Sequence, residues 1–165
     1  PSSAITNLRE REVEETNQDA GAPLAPAPES KDLAALVERF KEAGMPISYE
    51  HLGEPLPNDA NLQLTIYRIA QEALTNVLRY APTTKRITVR LARRVGCAEL
   101  WVINAAAPGS PSMHGSGKGL IGMRERAAVY SGSVQAGPVD GNWQVYAILR
   151  WQEDTLEELK WQLPV

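Results

Sequence analysis

Leu33, Leu36, Val37 and Phe40 recur at helical spacing within residues 31–43, and Gly44 follows as a stop signal. Residues 46–52 alternate between apolar and polar as a half-buried strand does. The longest periodic stretch is 59–81, where Leu62, Ile66, Ile69, Ala73, Val77 and Tyr80 fall on one face of a predicted helix. Alternation returns at 86–93, through Ile87, Val89 and Leu91, and at 98–103, through Leu100 and Val102. A stretch without periodicity, 104–119, holds four glycines and two prolines. A short helix at about 120–130 and strands near 133–137 and 142–151 complete the pattern. The last strand sets Trp143, Val145, Ala147 and Leu149 on one face and Tyr146 and Ile148 on the other.

Adjacent strands joined by tight turns favour antiparallel or mixed pairing, with the helices covering one face. The fold class expected is therefore an α/β two-layer sandwich with a mixed, largely antiparallel sheet. A doubly wound dinucleotide fold would need stricter alternation of strand and helix. Before this body, residues 4–18 are polar and helix-compatible with a thin stripe of Ile5, Leu8 and Val13, and 20–30 is a Pro/Ala-rich linker. After it, residues 152–165 form an acidic tail that could fold as an amphipathic helix through Leu156, Leu159 and Trp161.

Composition refines this picture. With 43% apolar residues in 165, one domain with a real core is expected. The net charge of −3 argues against a polyanionic partner, but it is unevenly spread. Residues 1–30 carry −4 and 152–165 carry −3, leaving +4 on the body between them. The single cysteine, Cys97, excludes an internal disulfide, and His51 and His114 lie too far apart for a zinc site. No apolar run reaches the roughly 18–20 residues that span a bilayer. The chain opens on Pro1 rather than Met, as a processed chain or a piece of a longer protein would.

Two places could carry chemistry. In 66–81, Glu72, Asn76 and Arg79 sit four and three residues apart, on adjoining parts of one helical surface beside the apolar stripe. A carboxamide oxygen is a hard ligand suited to magnesium, and a neighbouring Arg can contact phosphate. The same residues also fit a solvated helix edge with an ordinary ion pair. The second place is the loop with Gly115, Gly117, Lys118 and Gly119, leading into the helix at Leu120. Glycines let a backbone approach an anion, and a helix N-terminus presents free amides to it. A mobile loop would look similar, and GSGKG lacks Walker spacing.

Together and in this order, RIAQEALTNVLRYAP followed by GSGKGLIGMRERAAVYSGSVQAGP resembles the ATP-binding domain of bacterial sensor histidine kinases. The resemblance covers about residues 31–151 and is strongest to the subfamily paired with helix-turn-helix response regulators. The fold it implies, the GHKL or Bergerat ATPase fold, is shared with gyrase, a class of chaperones and anti-sigma kinases. By resemblance, Asn76 is the asparagine that coordinates magnesium on the phosphates of ATP. Glu72 and Arg79 are the acidic and basic positions of the same box, Gly117 and Gly119 the second glycine box, and Leu120 and Met123 the start of the helix behind it. Residues between the boxes would form a lid over the nucleotide.

Asn104 stands where the family has an aspartate that accepts a hydrogen bond from the adenine amino group, and Ala105, Ala106 and Ala107 replace the usual glycine-rich turn. Retained but weakened ATP binding is expected from the uncharged acceptor and the stiffer turn. Tyr80 stands where the family often has His, and packing at the helix end is expected of it. Residues 1–19 then read as the tail of a dimerisation helix, with the phosphoacceptor His upstream of this chain. The resemblance further implies a cytoplasmic domain of a homodimeric, inner-membrane-anchored kinase, a response regulator as partner, and no nucleic acid. An anti-sigma-type serine kinase and an interaction module that has lost nucleotide binding are the alternatives. His51, His114 and Cys97 are expected to be incidental, Trp101, Trp143 and Trp151 to be core, and the basic run Lys85 to Arg94 to be a solvated face.

Overall fold

A computed structural model describes residues 32–105 and 118–152. Helix α1 (Leu33–Glu42) starts where the Asp32 side chain accepts from the Ala34 amide at 2.9 Å, which satisfies one free donor of the first turn. It ends where Gly44 takes φ +101°, the left-handed stop that the sequence suggested. Its stripe of Leu33, Leu36, Val37 and Phe40 is buried.

Strand β1 (Ile47–Leu52) leads to helix α2 (Ala60–Tyr80), whose N-cap Asp59 accepts from the Asn61 and Leu62 amides at 3.0 and 3.2 Å. Both helix boundaries lie within two residues of those expected. Strands β2 (Ile87–Arg94) and β3 (Cys97–Ala105) form a hairpin, helix α3 (Lys118–Ala128) follows, and β4 (Ser133–Val139) and β5 (Asn142–Arg150) form a second hairpin. The Asp140–Gly141 turn has φ of +50° and +80°, the pattern that fits a right-twisted two-residue hairpin.

The sheet order is β1-β2-β3-β5-β4. β1 runs parallel to β2 because α2 crosses between them, and every other pairing is antiparallel. The three helices pack on one face over a core that includes Ile87, Val89, Leu91, Leu100, Val102, Ala147 and Leu149. The structure is thus the two-layer mixed sandwich expected. No helix among the described residues is long and apolar enough to cross a membrane.

Helix α3 starts at Lys118, two residues before its approximate expected start, so Gly119 belongs to its first turn. One expectation needs correction. Trp101 is not core. In β3 the helix-facing row is Ala98, Leu100, Val102 and Asn104, and strand alternation sends Trp101 to the opposite face. There its ring lies 5.2 Å from that of Tyr146 and the Arg90 guanidinium lies 6.0 Å from it, with Arg90 in turn bonded to Glu50 at 2.9 Å. Trp143 and Trp151 do pack against the core. The expected tail helix, the linker, the 1–19 segment and His114 lie outside the described residues.

Candidate functional site

Helix α2 carries Glu72, Thr75, Asn76 and Arg79 at steps of three and four, which stack them along one face. Helix α3 packs against α2, and its first turn brings Gly119 onto that face. A Cβ built on Gly119 would lie 3.0 Å from Glu72 Oε2 and 3.4 Å from Asn76 Nδ2. Two segments separated by more than 40 residues therefore meet at a point where only hydrogen fits comfortably. This is the physical reason for a glycine inside a helix, where it otherwise costs stability.

Glu72 is buried, with 9% of its surface exposed. Burial raises its carboxyl above the usual carboxylate range, and the positive charges of Arg79 and Arg126 pull it partly back. Arg126 was not singled out in the sequence. Its only signal there was a position seven residues after Gly119, two helical turns along α3. The sign of the consequence for folding is fixed. Above the usual value of 4.5 and below the raised one, the native state holds a proton that the unfolded chain has released, so this group makes stability fall as pH rises. Urea midpoints of the wild-type chain and Glu72→Gln, compared from about pH 4 to about pH 8, should show a shallower decline in the variant. Parallel curves would remove Glu72 as the cause.

At the end of β3, Asn104 is 2% exposed on the helix-facing side of the sheet. Its Nδ2 donates to the Ala105 carbonyl at 3.5 Å, and its Oδ1 is buried without a partner among the described residues. Thr75 Oγ1, on α2, is likewise buried and without a partner. A buried orphan acceptor costs about 1–3 kcal/mol, so such an atom marks a place where a ligand donor would be stabilising. The strand end itself is held firmly. Thr84 Oγ1 donates to the Ala105 carbonyl at 2.7 Å, and the Ala105 amide donates to the Arg86 carbonyl at 3.0 Å.

The structure therefore brings together Glu72, Asn76 and Gly119, with Arg79 on the same helical face and Asn104 on the adjoining strand. Leu120 packs against the core and Met123 is buried. Gly115 and Gly117, and the Lys118 side chain, lie outside what is described. Tyr80 is half-buried at the helix end with the Arg79 guanidinium 5.8 Å from its ring, a packing arrangement. His51 is exposed and its Nε2 lies 2.9 Å from the Glu54 carbonyl oxygen. It lines a separate cleft of about 280 Å³ with Asp32, Tyr49 and Gln63, at the other end of β1 and α2.

No family model matches the sequence. Solved structures do match the fold. The catalytic domain of histidine kinase ThkA aligns over 71% of this chain and 85% of its own, with a TM-score of 0.53 at 11% identity. The mycobacterial sensor histidine kinase MprB aligns over 88% and 95%, at 0.51 and 16%. The histidine kinase domain from the blue-light activated histidine kinase EL346 of Erythrobacter litoralis aligns over 90% and 73%, at 0.54 and 13%. At such identities the likeness is one of architecture, and the five-stranded mixed sheet with helices on one face is the fold of a histidine kinase catalytic domain.

Proposed function

We propose that this chain is the ATP-binding catalytic portion of a bacterial sensor histidine kinase. The reading rests above all on one observation: the backbone of Gly119 lies against Glu72 and Asn76 on α2. On β3, which packs against the same helix, the buried side-chain oxygen of Asn104 has no partner among the described residues. Asn104 would accept from the adenine amino group. Arg79 and the first turn of α3, with Gly115, Gly117, Lys118, Gly119 and Leu120 along the connection, would hold the phosphates through backbone amides and positive charge.

Among the described residues no group of three or more His, Cys, Asp or Glu could enclose a metal ion. Magnesium commonly takes one or two protein oxygens and completes its shell with phosphate and water. Asn76 would supply that oxygen, and magnesium bound there would neutralise phosphate charge. Glu72, one turn away, would orient the polar face between α2 and α3. The protein's part in phosphoryl transfer is then placement and charge compensation. The acceptor would be a histidine on a dimerisation domain outside this chain, and the phosphoryl group would pass on to an aspartate of a response regulator. The full protein would be a homodimer anchored in the bacterial inner membrane with this domain in the cytoplasm.

Calorimetry with ADP, with and without magnesium, tests the reading. Binding at micromolar to millimolar dissociation constants that tightens with magnesium is expected, weaker than a charged carboxylate at position 104 would give. No heat at millimolar nucleotide leaves only an interaction module with this fold.

A further inference from the structure

Asn104 differs from every other helix-facing position of β3 in carrying side-chain hydrogen-bonding groups on that buried side of the sheet. Its register partners are Ile87 on one side and Trp143 on the other, so neither neighbouring strand offers a titratable group at that row. The one bond of its amide nitrogen, to the Ala105 carbonyl at 3.5 Å, is at the outer limit of hydrogen bonding. The carbonyl oxygen has no partner among the described residues. Nothing strong fixes which end of the carboxamide points inward.

A carboxamide carries an acceptor and a donor that exchange places when the group turns by half a revolution, whereas an ionised carboxylate offers acceptors alone. A 6-amino purine presents a donor at C6 and an acceptor at N1. A 6-oxo purine presents the reverse, an acceptor at O6 and a donor at N1. One orientation of the same amide complements the C6 group of each base. We infer that Asn104 makes the base site two-faced, so that it takes 6-oxo-purine nucleotides as well as adenine nucleotides. This rests on the nucleotide reading above and adds the base specificity to it.

The test uses the 165-residue chain with magnesium and, in parallel, ADP and IDP; inosine is chosen because it lacks the 2-amino group that guanine would add. The wild-type chain should bind IDP within about tenfold of ADP, and Asn104→Asp should weaken IDP relative to ADP by at least about tenfold, since a charged acceptor faces O6 and the donor is gone. ADP bound with IDP more than about tenfold weaker overturns the inference and leaves the nucleotide reading standing. An unchanged ADP-to-IDP ratio in a folded Asn104→Asp overturns it equally. No binding of either nucleotide removes both. Should the variant fail to fold, the wild-type ratio decides alone.

Discussion

Asn76→Ala will lower the affinity for magnesium–ADP by about 30- to 150-fold and erase the difference between titrations with and without magnesium. The scale follows from losing a hydrogen bond or ligand contact to a charged group, about 2–3 kcal/mol. The fold should be spared, because Asn76 is only partly buried while Thr75 and Val77 on either side carry the packing of that turn. Asn76→Asp should fail as well, for another reason. It keeps an oxygen at the position but sets a second carboxylate one helical turn from Glu72 and beside a polyphosphate, where like charges oppose each other. Unchanged affinity in a folded Asn76→Ala would falsify the assignment of this residue, and with it the centre of the proposed site.

The second large effect is on stability, at Gly132. A Cβ there would lie 2.0 Å from the Ile148 carbonyl oxygen and 3.1 Å from that of Ala127, both of them backbone atoms that no rotamer change can move. The surrounding bonds explain why the backbone runs so close. Past the end of α3, the Gly132 amide donates to the Ala127 carbonyl at 3.0 Å and that of Ser131 to Ala128 at 3.1 Å, the paired bonds of a Schellman ending. The chain then enters β4 directly, with Ser133 opposite Ile148. Ser131 takes the left-handed φ of +47° that a glycine usually fills, and the glycine is kept for the position where space is short. Gly132→Ala should cost about 4 kcal/mol, or about 10 °C in Tm for a chain of this length, measured by thermal unfolding. Gly137→Ala is the control. Its Cβ would meet nothing within 4 Å, and a change within about 0.5 kcal/mol is expected.

These two glycines show what could and could not be read along the chain. Helix α2 was legible because its information is local: an apolar stripe every three or four residues from Leu62 to Tyr80. The strands were legible from alternation for the same reason. The parallel pairing of β1 with β2 and the order β1-β2-β3-β5-β4 depend on which strand edges meet after folding, and no local pattern encodes that. Trp101 was misplaced because its size suggested burial while the parity of β3 put it on the other face. At the site, the spacing of Glu72, Asn76 and Arg79 located one half and the run of glycines located the other. Their contact through Gly119, the influence of Arg126 on Glu72 and the missing partner of Asn104 arise only when α2, α3 and β3 are packed together.

The anchoring at the end of β3 has a consequence for how such a domain can diversify. Ala105 is fixed by Thr84 and Arg86, and the first turn of α3 is fixed by the close approach of Gly119 to α2. Both ends of the intervening stretch, residues 106–117, are thus set by contacts with other elements. Lengthening a connection between two fixed points costs only about 0.6 kcal/mol per doubling. On that entropic ground alone the span between the two anchors can change length at small cost, while the contacts at Ala105 and Gly119 stay the same.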